Sequence, residues 1–162
     1  LIVNTKKKNN RSLFLKTMET QKWLWNEKKQ FQSCNPYLNF LDERKKMINE
    51  INSAKLIIQT FCGTGHLESL AANRPTIILF VNDIKLYNEK SKKYLKKFKK
   101  NGILHTTPLS LFKFLTKMNS KDKIEHWWNN KKRQELLDKY RYDFGFLNKN
   151  KIEDLKNKIV NE

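Results

Sequence analysis

The chain has 162 residues, the size of one domain with a single core. Lys and Arg number 34 against 16 Asp and Glu, a formal net charge of +18 that attracts polyanions in general, although lysines scattered among many Asn and Ile are accounted for more simply by compositional bias. The longest apolar run, Ile77 to Val81, is too short to cross a bilayer, and Cys34 and Cys62 stand far apart without a CxxC pair, which argues against a disulfide framework and fits a reducing cytoplasm.

The opening Leu1-Ile2-Val3-Asn4 lacks an initiating Met and is neither a signal peptide nor a capped helix start, so the reading frame is expected to continue upstream. Residues 1–33 are polar and basic, anchored by Leu13, Leu15, Trp23, Leu24 and Trp25, and read as an irregular, partly disordered segment. Asn35-Pro36 marks a turn. Over Tyr37 to Asn52, the spacing of Phe40, Leu41, Met47, Ile48 and Ile51 predicts a helix with one buried face.

Ala54 to Thr60 is an apolar, β-branched run of strand length that leads into Gly63-Thr64-Gly65. Leu67, Leu70 and Ala71 then place an apolar stripe on a short helix over His66 to Asn73, stopped by Arg74-Pro75. Thr76 to Val81 is apolar on both faces, as a strand covered by helices must be. Together these segments predict a parallel βαβ unit.

Lys85 to Lys100 carries Tyr87, Tyr94, Leu95 and Phe98 at helical spacing with Lys between them, an amphipathic surface helix closed by Asn101-Gly102. Ile103-Leu104-His105 reads as a third short strand. A helix opens at Pro108 and carries Leu111, Phe112, Leu115 and Met118. Another spans Asp122 to Tyr142, with Trp127-Trp128 and Leu136-Leu137, and a short polar helix is expected over Lys151 to Glu162. The predicted class is α/β: a Rossmann-like parallel sheet flanked by helices over residues 34–145, with a mostly helical carboxy-terminal end and a last helix within 146–162.

In open parallel sheets, ligands bind outside the carboxyl ends of the strands, which draws attention to Gly63, Thr64 and Gly65. Glycine lets backbone approach a phosphate, and the free N–H groups and dipole of a helix start favour negative charge there. The pattern is neither a Walker loop nor a full G-x-G-x-x-G, and a tight strand-to-helix turn needs Gly in any case. Glu68 could accept hydrogen bonds from the two hydroxyls of a ribose, or serve as a helix-capping carboxylate; spacing alone does not choose. His66 and His105 are candidates for contact with a phosphate or sugar, weighed against ordinary packed histidines, and three histidines without ligand spacing predict no metal.

The segment Thr64-x-x-Leu67-Glu68-x-Leu70-Ala71-x-Asn73-x-Pro75-Thr76-Ile77 resembles the ribose-binding part of GT-B glycosyltransferases. With Gly102-Ile103-Leu104-His105-x-x-Pro108 and Trp127-Trp128, it is similar to the transferases of bacterial surface-carbohydrate and O-antigen loci, over roughly Asn49 to Phe144. The resemblance implies the carboxy-terminal, donor-binding domain of a two-domain, metal-independent GT-B-like enzyme that uses no cofactor. A nucleotide-sugar would be held with its diphosphate on Thr64 and the neighbouring turn of Gly63 and Gly65, and its ribose on Glu68. Gly65 stands where the family has a second hydroxyl residue, and His66 where it has an apolar or aromatic one. The acceptor and any general base would belong to the first domain of the same polypeptide, so no catalytic residue is assigned.

Adjacent helical residues point about 100 degrees apart, so Trp127 and Trp128 cannot both face one ligand, and core or interdomain packing is the simpler role. The lysine helix over Lys85 to Lys100 offers peripheral contact with the anionic inner face of the cell membrane, weighed against a solvated face. Two further functions stand beside the leading one. Polyol-phosphate transfer from a CDP-activated donor also uses an acid after a strand-to-helix turn. A basic nucleic-acid-binding module fits the charge, but no RNP segment, GXXG loop, zinc finger or aromatic platform supports specific nucleic-acid binding.

Overall fold

The computed structural model describes residues 14–16, 27–42, 46–60, 63–81 and 87–145. Its first elements are short: strand β1 (Phe14–Leu15), helix α1 (Glu27–Cys34), strand β2 (Asn39–Phe40) and helix α2 (Met47–Ser53). Strands β1 and β2 pair in parallel, Phe14 with Asn39 and Leu15 with Phe40. Regular structure therefore exists within the segment read as irregular. Among the described residues of the helix expected over Tyr37 to Asn52, those from Met47 onward are helical, and Asn39–Phe40 is drawn into backbone pairing instead.

The central layer is a parallel sheet of β3 (Ile57–Gln59), β4 (Thr76–Leu79) and β5 (Leu104–His105), in that order. Ile57 registers with Thr76, and Ile78 with Leu104. As the middle strand, β4 is buried along its whole length, which its two apolar faces required. Helix α3 (Thr64–Ala71) joins β3 to β4, and α4 (Glu89–Lys100) precedes β5. The α/β class and the parallel βαβ unit are as expected.

Helices α3 and α4 end in the same left-handed device. At α3, Asn73 (φ 50°) donates to Leu70 C=O at 3.1 Å, and Arg74 N–H reaches Ser69 C=O at 3.0 Å. At α4, Gly102 (φ 70°) donates to Lys99 C=O at 3.3 Å and Ile103 N–H to Phe98 C=O at 2.9 Å. These are Schellman motifs, in which a residue just past the helix takes positive φ and two orphan carbonyls are satisfied.

Three helices complete the chain: α5 (Pro108–Lys117), α6 (Lys121–Trp128) and α7 (Lys131–Tyr140). Thr107, Ser120 and Asn130 cap them, each side-chain oxygen accepting a backbone N–H from three residues on. The continuous helix expected from Asp122 to Tyr142 is thus two helices. Asn129 ends α6, and Asn130, whose side chain accepts from Arg133 N–H at 3.3 Å, starts α7. A π-helical turn over Arg141–Gly145 follows. The helix expected over Lys151 to Glu162 lies outside the described residues.

The tryptophan pair closes both Schellman turns. Trp128 Nε1–H donates to the Asn73 backbone and side-chain oxygens, each at 3.1 Å. Trp127 Nε1–H donates to Asn101 C=O at 3.4 Å, and Arg133, stacked 4.7 Å over the Trp127 ring, donates to the same carbonyl through Nε and Nη2. The two indoles do point to different places, and both places are structural. Burial lowers the Arg133 pKa to about 10.

Gly102 is where this arrangement is least tolerant. A Cβ there would meet Phe114 Cε2 at 3.0 Å and Trp127 Nε1 at 3.5 Å, on backbone that L-residues avoid. Gly102→Ala is expected to lower stability by about 1–2 kcal/mol from backbone strain, read as a lower urea midpoint at unchanged slope.

Candidate functional site

The carboxyl end of β3 leads, through residues 61–62 outside the described set, to Gly63, the N-cap of α3. Gly63 brings no side-chain cap, so among the described residues the first turn of α3 carries the positive end of the dipole without a capping side chain at its N-cap. Thr64 opens the helix and is exposed. Gly65 lies against Gln59: a Cβ at Gly65 would come within ordinary contact of the Gln59 amide, 3.4 Å away, so the polar end of β3 lies beside the turn. Gln59 is a residue that sequence reasoning misses. Its one signal is a polar side chain closing the apolar run Leu56-Ile57-Ile58.

Helix α3 divides its faces sharply. His66, Ser69 and Leu70 are buried, while Thr64 and Glu68, one turn apart, share the exposed side. Ser69 Oγ–H is turned back into the helix, donating to Gly65 C=O at 2.9 Å. With Gly63 as N-cap, the third helical position is His66, and Glu68 falls in the second turn. The capping role weighed for Glu68 is therefore excluded. Its carboxylate meets no hydrogen-bond donor or cation among the described residues.

The structure gives His66 a different surrounding from a surface ligand contact. Only 7% exposed, its Nε2 lies 3.0 Å from Tyr140 Oη, and Nδ1 has no hydrogen-bond partner among the described residues. Burial pushes its pKa below the ordinary value, with the nearby Gly63 backbone opposing. His66 thus braces the turn from beneath. Tyr140, at the end of α7, is the other residue that sequence reasoning misses; a tyrosine ending an apolar helix face carries no distinctive signal.

His105 is also turned inward. Nδ1 lies 2.8 Å from Ser110 Oγ and Nε2 3.3 Å from Gly102 C=O, and burial lowers its pKa against the opposing Gly102 hydrogen bond. It links β5 to α5 rather than lining the α3 turn. Among the described residues, no three His, Cys, Asp or Glu side chains come together as a metal site, and no helix is long and apolar enough to cross a membrane.

An open helix start beside an exposed hydroxyl and an exposed carboxylate, at the carboxyl end of a parallel sheet, suits an anion joined to a polyol. The family model of the LIC12162 family transferases matches residues 5–159. The chain belongs to this family. The match spans all the elements above and shows transferase membership. No curated protein and no solved structure matches. For a transferase, Gly63, Thr64 and Gly65 offer backbone N–H and hydroxyl groups to an anionic leaving group. Glu68 offers an acceptor for hydroxyls, and Gln59 an amide that can do either.

Proposed function

We propose that this chain is the donor-binding part of a GT-B-like glycosyltransferase of bacterial cell-surface carbohydrate biosynthesis, acting on the cytoplasmic side on a nucleotide-activated sugar. The Gly63–Gly65 turn and the α3 amino terminus hold the diphosphate, and Glu68 accepts the ribose hydroxyls. The acceptor and general base are supplied by a preceding domain. The observation that carries this reading is the pairing of Thr64 and Glu68 on the open face of α3, with no partner for Glu68 among the described residues. As the sugar departs, the helix start stabilises the charge that grows on the diphosphate.

Thermal unfolding of the chain with UDP-, GDP- and CDP-linked ligands tests it. A ligand at 100 times its dissociation constant is expected to add about 2.7 kcal/mol, a shift of several degrees, and Glu68→Ala is expected to abolish most of it. A response only to CDP-linked polyols would move the reading to polyol-phosphate transfer. A folded chain that answers no nucleotide would overturn donor binding by these residues.

A further inference from the structure

Helix α5 is apolar on two faces, and only one of them is used. Leu111 is fully buried, and Phe114 and Leu115 pack against the core. On the other side, Leu109 is 62% and Phe112 49% exposed. With Thr116 they form an outward row at helical spacing, bordered by the exposed Lys113 and Lys117. Val81, 65% exposed, lies at the same end of the sheet as the start of α5, since Phe80 N–H donates to His105 C=O at 2.8 Å.

The charge carried by α5 and by the sequence just before it has one sign. Between Glu89 and Asp122 the sequence has ten lysines and no Asp or Glu. Lys90 and Lys92 pair with Asp143 and Glu89, whereas Lys93, Lys96, Lys99, Lys100, Lys113 and Lys117 form no salt bridge among the described residues. A solvated face accounts for the lysines but leaves Leu109 and Phe112 in water. A protein partner would have to bury the apolar row and also set acidic groups against the lysines that border it. An anionic lipid surface accommodates both, with Leu and Phe at the acyl boundary and Lys ammonium groups at the phosphates.

We propose that α5 is the surface by which this protein lies on an anionic bilayer, with Leu109 and Phe112 inserted and Lys113 and Lys117 on the headgroups. Helix α4, within the lysine helix singled out from the sequence, contributes field but no anchor, since its Leu95 and Phe98 are buried. The proposal stands apart from the donor reading and survives its failure.

The test is co-sedimentation of the 162-residue chain with vesicles of phosphatidylglycerol and phosphatidylcholine, against phosphatidylcholine alone. Binding is expected only to the anionic vesicles and is expected to weaken with salt. The Leu109→Ser/Phe112→Ser variant, altered only at exposed positions, is expected to keep its Tm and to lose about tenfold in partitioning. Lys113→Glu/Lys117→Glu is expected to lose more than the equally charged Lys131→Glu/Lys132→Glu on α7. No binding to anionic vesicles overturns the proposal. So does an apolar variant that binds as wild type, or equal losses from the two charge reversals, which would mean unspecific polycation attraction. A wild-type dimer made monomeric by Leu109→Ser/Phe112→Ser would overturn it in favour of a second copy on this face.

Discussion

Replacing Trp128 with alanine is expected to cost about 3–5 kcal/mol, a large share of the roughly 5–15 kcal/mol that typically separates a folded domain from its unfolded chain. The side chain is 2% exposed and belongs to the central core with Leu70, Ile77 and Leu137. Its loss removes that apolar area and leaves a cavity. It also removes the indole donor to the Asn73 carbonyl, at the left-handed turn that ends α3 and admits the chain to β4. Trp128→Phe separates the parts: it retains most of the packing and gives up the indole N–H, for about 1–3 kcal/mol. Urea unfolding of the two variants should therefore rank wild type, Phe, Ala. If Trp128→Ala unfolds within about 1 kcal/mol of wild type, the indole is not the staple described here.

That staple ties the Trp pair to the ends of α3 and α4, and it separates what is legible in a sequence from what is not. Gly102 and Pro108 announced their roles, because a left-handed cap and a fixed first-turn φ are properties of single residues. The strands of the βαβ unit were legible because β4 is apolar on both faces. The break at Asn129-Asn130 was not, since Ile124, Trp127 and Trp128 before it and Leu136, Leu137 and Tyr140 after it each keep helical spacing, and Asn occurs within helices as well as at their caps. At the candidate site, the positions of Gly63, Thr64 and Gly65 followed from local spacing. The fate of His66 depended on Tyr140, 74 residues away, and no local pattern reports such a contact.

The burial of His66 makes the stability of this fold sensitive to acid. Burial holds the His66 pKa below its ordinary 6.5, so as pH falls the unfolded chain takes up the proton before the folded one does. Stability is therefore full above that value and is lost as pH falls through it towards the lower folded pKa. The slope contributed by one imidazole is at most about 1.4 kcal/mol per pH unit. His105, lowered for the same first cause, adds to the loss with the same sign. His66→Phe should flatten part of the fall in urea midpoint between about pH 8 and about pH 5 and leave the His105 part. Tyr140→Phe acts differently: it takes from Nε2 its hydroxyl partner, and should cost about 1–3 kcal/mol even at about pH 8, where both buried imidazoles are neutral. Because His66 sits beneath the α3 start, that variant should also weaken any nucleotide response of the turn, while Glu68→Ala should abolish most of the response. A pH profile unchanged by His66→Phe would show that the imidazole titrates normally and that the turn is not braced in this way.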